Sequence, residues 1–397
     1  MKNLNVKQNG RTACIVKFFQ LPEIMKITIF CLLVLIGTDC KSRSANKNKT
    51  VNQGKKIVLK LPPVINNPRN SEGDFITLKD GRILFVYSHY TGTSSDDNGN
   101  AYLAGRYSKD KGKTWSSEDV MIVKQEGKMN VMSVSLLRLQ NGEIALFYLK
   151  KNSVTDCIPM VRFSKDEAKT WSDPIPCITD KAGYFVLNNS RVIQLQNGRI
   201  LMAVNLFATP KESNLNAGSL WSYYSDDNGK SWKSAMEVSN PDNFLTQEPG
   251  IVDLKNGEVF MIIRSNAGVQ CSSVSKDKGV TWSPVERTSI KSPVSPASIK
   301  RIPTTGDLFM VWNNNGGDDL SIKGRRTPLT VAISKDEGKT WEKIKNIEVD
   351  PDGWYCYIAI HFTKKEVLLG YCAGNLPKRT GLAVTQITKL SLDWIYN

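Results

Sequence analysis

The sequence predicts an all-β protein: a six-bladed β-propeller of four-stranded antiparallel blades occupying residues 57–397. Three observations predict it. A loop motif recurs five times, a strand–turn–strand signature alternates with it, and no segment keeps a helical period.

The loop motif is Ser-x-Asp-x-Gly-x-Thr-Trp with small variations. Its aspartates are Asp110, Asp166, Asp227, Asp277 and Asp336, spaced by 56, 61, 50 and 59 residues. Periods of this size mark stacked supersecondary units. The Asp is suited to accept from loop N–H groups, the Gly to take a positive φ, and the Trp to bury its ring between neighbouring units. These residues are read as structural.

The second signature is a hairpin with an Asp-Gly or Asn-Gly turn, at Gly81, Gly142, Gly198 and Gly257. Residues 302–309 form a looser version, and residues 361–369 a sixth, with Lys364 and Lys365 replacing the turn glycine. Six such hairpins, each followed by another strand pair, give six four-stranded sheets. Radial closure would protect their edges, with residues 57–61 as the outer strand of the last sheet.

The formal charge of +15 is unevenly spread: residues 41–60 hold seven basic side chains and no acid. The remainder of the fold is only mildly basic, so no nucleic-acid partner is expected. Residues 41–56, rich in Lys, Asn and Ser, read as a flexible basic linker. Residues 1–40 read as a leader. Met25 and Lys26 precede an apolar run, 27–37, that suits a signal peptide and is too short to span a membrane. Translation is expected to start at Met25. Cys40 stands where a bacterial lipoprotein carries its lipid, although Asp39 occupies a position where a small residue is usual. The expectation is an exported monomer in the periplasm or at the cell surface, attached to the membrane through Cys40.

Five cysteines follow the leader, an odd number with no Cys-x-x-Cys pair, and read as buried thiols with one disulfide possible. His89 and His361 are the two histidines and lie far from any cysteine cluster. No metal and no organic cofactor is expected.

In a propeller the residues just before each innermost strand converge on the axis. Here they are 70–74, 130–133, 188–191, 247–248, 295–296 and 355–357, a set containing Glu, Asp, Arg, Asn and Tyr, suitable lining for a sugar pocket. Glu248 is the leading candidate, and Arg264 closes an apolar strand sixteen residues later. Arg326 competes with its neighbour Arg325. Tyr357 competes with Tyr355, which strand alternation puts on the same side. Asp97, in the loop 94–100, is a candidate acid, although Asp-Asn-Gly is also ordinary turn chemistry.

From about residue 60 onward the chain resembles the bacterial exported members of the BNR/Asp-box sialidase (neuraminidase) superfamily. The resemblance implies a six-bladed propeller with an active site at the axis, opposite the Asp-box loops. It implies a glycoside hydrolase acting on a terminal, acidic, sialic-acid-like sugar of a glycan or glycoconjugate. Glu248 then polarises the nucleophile Tyr357, Asp97 is the acid/base, and Arg264 and Arg326 grip the sugar carboxylate. One departure stands out. The family opens its first blade with Arg-Ile-Pro, whereas residues 70–75 here read Asn-Ser-Glu-Gly-Asp-Phe. Glu72, with Asp74 beside it, takes the place of a positive charge, and Arg69 and Arg191 are the arginines placed to compensate. Two other readings follow. Glu72 or Asp74 could pair with Glu248 as a two-carboxylate glycosidase for a non-sialic sugar, or the propeller could bind glycans without cleaving them. A Ser-His-Asp or cysteine hydrolase is disfavoured by the scarcity of histidine and the absence of a nucleophile elbow.

Overall fold

A computed structural model describes residues 54–212 and 218–397. The leader with Met25 and Cys40, and most of the basic linker, lie outside the described residues. The first strand, Lys55–Leu61, begins two residues earlier than expected and runs antiparallel to Thr385–Ser391 near the C-terminus.

Four sheets have four antiparallel strands in simple order. The first is Asn70–Thr77, Ile83–Tyr90, Ala101–Ser108 and Val120–Val123. The fourth unit runs Thr246–Asp253, Val259–Ser265, Val269–Ser275 and Glu286–Lys291. The fifth is Ser298–Arg301, Leu308–Asn313, Leu329–Ser334 and Glu342–Glu348. The last is Gly353–Phe362, Glu366–Asn375, Thr385–Ser391 and the N-terminal strand. The second and third units differ from expectation: they are joined into one nine-stranded sheet. The join is a single parallel pair, Tyr184 with Cys157. It arises because the third unit's inner strand is broken into Tyr184–Val186 and Val192–Gln194, with Asn188, Asn189 and Ser190 in the gap. Among the described residues the helices are the 3-10 turn Leu320–Ile322 and the five-residue Leu392–Tyr396.

The strands are apolar on both faces because each sheet is covered on both sides. In Ile144–Ser153, Ile144, Leu146 and Tyr148 pack toward the first unit, while Ala145, Phe147 and Leu149 pack toward the third. In Leu308–Asn313, Leu308, Met310 and Trp312 face the fourth unit, and Phe309 and Val311 face the last. A further cluster joins the third and fourth units through Leu201 and Met261. Another joins the first and last through Phe75, Phe85, Leu368 and Ile387. Period-2 alternation here sorts side chains between two cores rather than between core and water.

The repeated loop is built the same way each time. Asp110 Oδ1 accepts from Thr114 N at 2.9 Å, and Oδ2 accepts from the Thr114 hydroxyl at 2.6 Å. Asp166, Asp227, Asp277 and Asp336 repeat that 2.6 Å bond to Thr170, Ser231, Thr281 and Thr340. In the second copy Ala168 replaces the glycine and still takes φ 64°. Trp232 of the third unit meets Phe147 of the second edge-on at 5.9 Å, so the ring does pack between units.

Candidate active site

The site is made by one backbone device repeated on different sheets. The inner strands of the first, second, fourth and last units each shift register at a β-bulge, between Ser71 and Asp74, Met132 and Ser135, Gln247 and Gly250, and Cys356 and Ala359. Each bulge holds a non-glycine residue in the left-handed region: Glu72 (φ 55°), Ser133 (58°), Glu248 (45°) and Tyr357 (59°). Ser190, in the broken inner strand of the third unit, has φ 57°. Such a conformation costs on the order of 1–3 kcal/mol per residue and persists where the surroundings over-determine it. A bulge re-aims the side chain that alternation would send elsewhere.

The re-aimed side chains meet. The Tyr357 hydroxyl donates to Glu248 Oε1 at 3.0 Å, and Arg264 Nη1 donates to Glu248 Oε2 at 2.6 Å. Ser133 donates to Glu72 at 3.2 Å. Asn189 Nδ2 ties the bulges together by donating to the carbonyls of Gly73 at 2.8 Å and Tyr357 at 3.1 Å. Arg326 lies over the rings of Trp354 and Tyr357, 5.0 and 5.4 Å from their centroids, and its Nε and Nη1 have no hydrogen-bond partner. Burial works to neutralise Glu248, but Arg264 and Arg326 outweigh it and hold the carboxyl below its usual range. Burial pushes the Tyr357 phenol well above its usual range, and the Glu248 charge adds to that. The arrangement is an ionised base bonded to a neutral phenol, flanked by two guanidinium groups with unused N–H donors.

The first sheet supplies a second cluster. Arg69 is 1% exposed and is held between Asp97 Oδ1 at 2.5 Å and Glu72 Oε2 at 3.0 Å, with its guanidinium 4.6 Å from the Tyr90 ring centroid. Arg69, one of the two arginines read as placed to compensate, thus brings a cation beside Glu72, and Glu72, three residues on, accepts from it. Burial raises the Glu72 carboxyl above its ordinary range despite Arg69. For Asp97, desolvation acts upward, but Arg69 prevails and the carboxyl is lowered. The Asp97 carbonyl accepts from Asn130 Nδ2 at 2.9 Å and Lys151 Nζ at 3.0 Å, which fixes the loop.

Asp97 and Glu248 line one cavity of about 320 Å³, together with Lys151, Tyr184, Phe207 and Gln247. The sequence reading missed Lys151, which is 2% exposed and has its Nζ 4.9 Å from the Tyr184 ring centroid. A lysine closing the apolar strand Ile144–Ser153 was the available signal, the same one that marked Arg264.

Three candidates, Asp74, Arg191 and Tyr355, are placed otherwise than expected, and the competition between Arg325 and Arg326 is resolved. Asp74 does not face the cavity: its carboxylate accepts from the backbone N–H groups of Phe75 and Leu136, at 2.8 and 2.9 Å, and staples the first inner strand to the second. Arg191 is buried against the bulge of the fourth unit, at Gly250, rather than beside Glu72 in the first. Arg325 pairs with Asp352 at 2.8 Å on the surface, which leaves Arg326 as the inward arginine. Tyr355 does not share a side with Tyr357, because the bulge intervenes; it packs with Ile358 and Tyr371 in the core between the fifth and last sheets.

A family model described as a BNR repeat-like domain matches residues 93–368. The sialidase of Bacteroides fragilis (strain YCH46) is 28% identical over 217 residues, 52% of this chain and 37% of that protein. The sialidase of Clostridium perfringens is 25% identical over 273 residues, 60% of this chain and 69% of that protein. The chain spans 37% of the length of the B. fragilis sialidase and 55% of that of Paraclostridium sordellii. Among solved structures, a protein of unknown function from Dyadobacter fermentans has TM-score 0.64 at 20% identity, covering 85% of this chain and 100% of that one. The leech intramolecular trans-sialidase has TM-score 0.67 at 15% identity, covering 87% and 71%. At these identities the likeness is one of fold, and the sialidases among the structural neighbours are propellers.

Proposed function

Since the chain belongs to the BNR-repeat sialidase superfamily, we propose that it is a sialidase-type glycoside hydrolase, exo-acting on a terminal acidic sugar of a glycan or glycoconjugate, on a closed six-bladed propeller. The observation that carries this reading is the Tyr357–Glu248 hydrogen bond of 3.0 Å beside Arg264 and Arg326. The run of shared cores from the first unit round to the last supports closure.

The anomeric carbon of a 2-keto acid sugar bears a carboxylate, which repels an anionic nucleophile. A neutral phenol relayed to a carboxylate avoids that repulsion, and sialidases are the exception to the two-carboxylate rule on this account. Arg264 and Arg326 bind the sugar carboxylate. Tyr357 Oη attacks the anomeric carbon as its proton passes to Glu248, and Asp97 protonates the departing glycosidic oxygen. Water then attacks the same carbon, giving its proton to Asp97, while Tyr357 departs and recovers its proton from Glu248. Two displacements retain configuration. The two-carboxylate reading is weaker, because Glu72 already accepts from Arg69, Ser71 and Ser133.

Purified protein against a panel of aryl glycosides tests the reading. Release from the sialoside is expected. Release only from other glycosides favours the carboxylate pair, and binding without turnover favours a glycan-binding propeller. The proposed setting is outside the cytoplasm, as a monomer anchored through Cys40; lipid labelling that vanishes in Cys40→Ala checks the anchor.

A further inference from the structure

Arg191 is a buried cation beside the Glu248 bulge that the proposed reaction leaves unused. It follows Ser190 in the third unit, its backbone N–H donates to Ser135 Oγ at 3.0 Å, and the residue is 4% exposed. Its Nε has no hydrogen-bond partner, and no ion pair among the described residues includes it. The guanidinium rests on the fourth unit, where a methyl group at Gly250 would overlap its Nη1. Gly250 is two residues past Glu248, on the far side of the same bulge. Desolvation brings the Arg191 pKa down to about 10 although Glu248 and Tyr357 pull it upward, as befits a charge with no acid bonded to it.

Titratable groups act on Glu248 from the first, third, fourth, fifth and last units. Arg264 bonds to it and Arg326 lies on the Tyr357 side. Cys356 and Glu72 act on it from the last and first sheets, and Arg191 from the third. A carboxylated substrate changes this balance. Its negative charge, seated on Arg264 and Arg326, cancels much of what keeps Glu248 ionised, at the moment when Glu248 must be free to take a proton. Arg191 lies on the Gly250 side of the bulge, away from the Tyr357 side that Arg326 covers, so it stays beside Glu248 when a carboxylate occupies the other two arginines.

We propose that Arg191 is a positioning residue for the reaction: a buried guanidinium in no ion pair that holds Glu248 ionised beneath a bound, negatively charged substrate. The inference rests on the sialidase-type reading. It is distinct from the carboxylate grip, since Arg191 acts through Glu248 and touches no sugar atom.

The test is the pH dependence of sialoside hydrolysis by the full chain carrying Arg191→Met, Arg191→Lys or Gly250→Ala. In Arg191→Met, kcat is expected to fall on the order of tenfold to a hundredfold with KM within about twofold. The acidic limb of kcat, which reports the bound complex, is expected to move up by about one pH unit. Arg191→Lys keeps the charge and is expected to keep the limb. Gly250→Ala displaces the guanidinium without deleting it and is expected to shift the limb upward, so it serves where Arg191→Met does not fold. An unmoved limb in Arg191→Met or Gly250→Ala, with wild-type turnover intact, overturns the inference alone, as does an equal shift in Arg191→Lys. Absence of turnover by the wild-type protein overturns the underlying reading and the inference with it.

Discussion

Tyr357 donates to Glu248 across 3.0 Å although the two stand 109 positions apart, and each occupies the odd residue of a β-bulge, with φ of 59° and 45°. Neither side chain would reach the other from a regular strand. The chemistry proposed for this protein is thus a consequence of two local backbone irregularities held in register by the packing of the sheets.

Tyr357→Phe removes one oxygen and keeps the ring under Arg326. Sialoside turnover is expected to fall at least 10²–10⁴-fold, while a non-hydrolysable acidic sugar analogue still binds. Steady-state kinetics beside calorimetric titration check the split. A variant with near-normal kcat removes Tyr357 as the nucleophile.

The two neighbouring arginines are expected to behave differently. Arg326 is buried with unpartnered donors, so Arg326→Met should raise KM for the sialoside by about ten- to a hundredfold, the equivalent of about 1.5–3 kcal/mol for a charge-assisted contact. Arg325 pairs with Asp352 at the surface, and Arg325→Met should leave kinetics within about twofold and stability within about 1 kcal/mol. Equal effects from both would contradict the assignment.

Asp74→Ala leaves two buried backbone N–H groups without an acceptor. The expected result is a loss of about 2–4 kcal/mol in stability, visible as a lower Tm by calorimetry, with KM for the sialoside unchanged in the protein that remains folded. A raised KM at unchanged Tm would return Asp74 to the pocket.

Much of the fold was legible because its signals are local. Asp-Gly and Asn-Gly turns dictate hairpins, and the Asp-box loops satisfy their own amides within five residues, so spacing alone announced stacked sheets. The inner strand of the third unit was not legible: the break at Asn188–Ser190 depends on Asn189 bonding to carbonyls of the first and last sheets. The chemical types at the site were also legible, as a Glu and an Arg set against apolar strands. Their directions were not. Alternation placed Tyr355 beside Tyr357, and only the bulge separates them. Arg69 was legible as a compensating cation, but its pairing with Asp97, 28 residues away, was not, because no short window connects the two.

Stability should depend on pH with a definite sign. The Asp-box carboxyls of Asp110, Asp166 and Asp336 are held down at about 2, chiefly by the hydroxyls of Thr114, Thr170 and Thr340. Glu248 is also lowered, as its arginines outweigh its burial. Groups lowered in the folded state give their full contribution above the unfolded value near 4, and lose it as pH falls through the folded value. Glu72 and Asp74 are raised by burial, so they cost stability when ionised and relieve that cost on protonation. The expected Tm is level from about pH 5 to 7 and drops between about pH 4 and 2. A Tm that climbs steadily down to pH 3 would mean that the buried pair dominates.

The most direct measurement is covalent trapping. A sialoside fluorinated next to the anomeric carbon, with a good leaving group, slows the second displacement more than the first, so the glycosyl-enzyme accumulates. Peptide mapping by mass spectrometry is expected to place the adduct on Tyr357 and to find none in Tyr357→Phe. An adduct on Glu72, Glu248 or Asp97 would contradict the account, as would a wild-type enzyme that turns the compound over with inversion and no adduct.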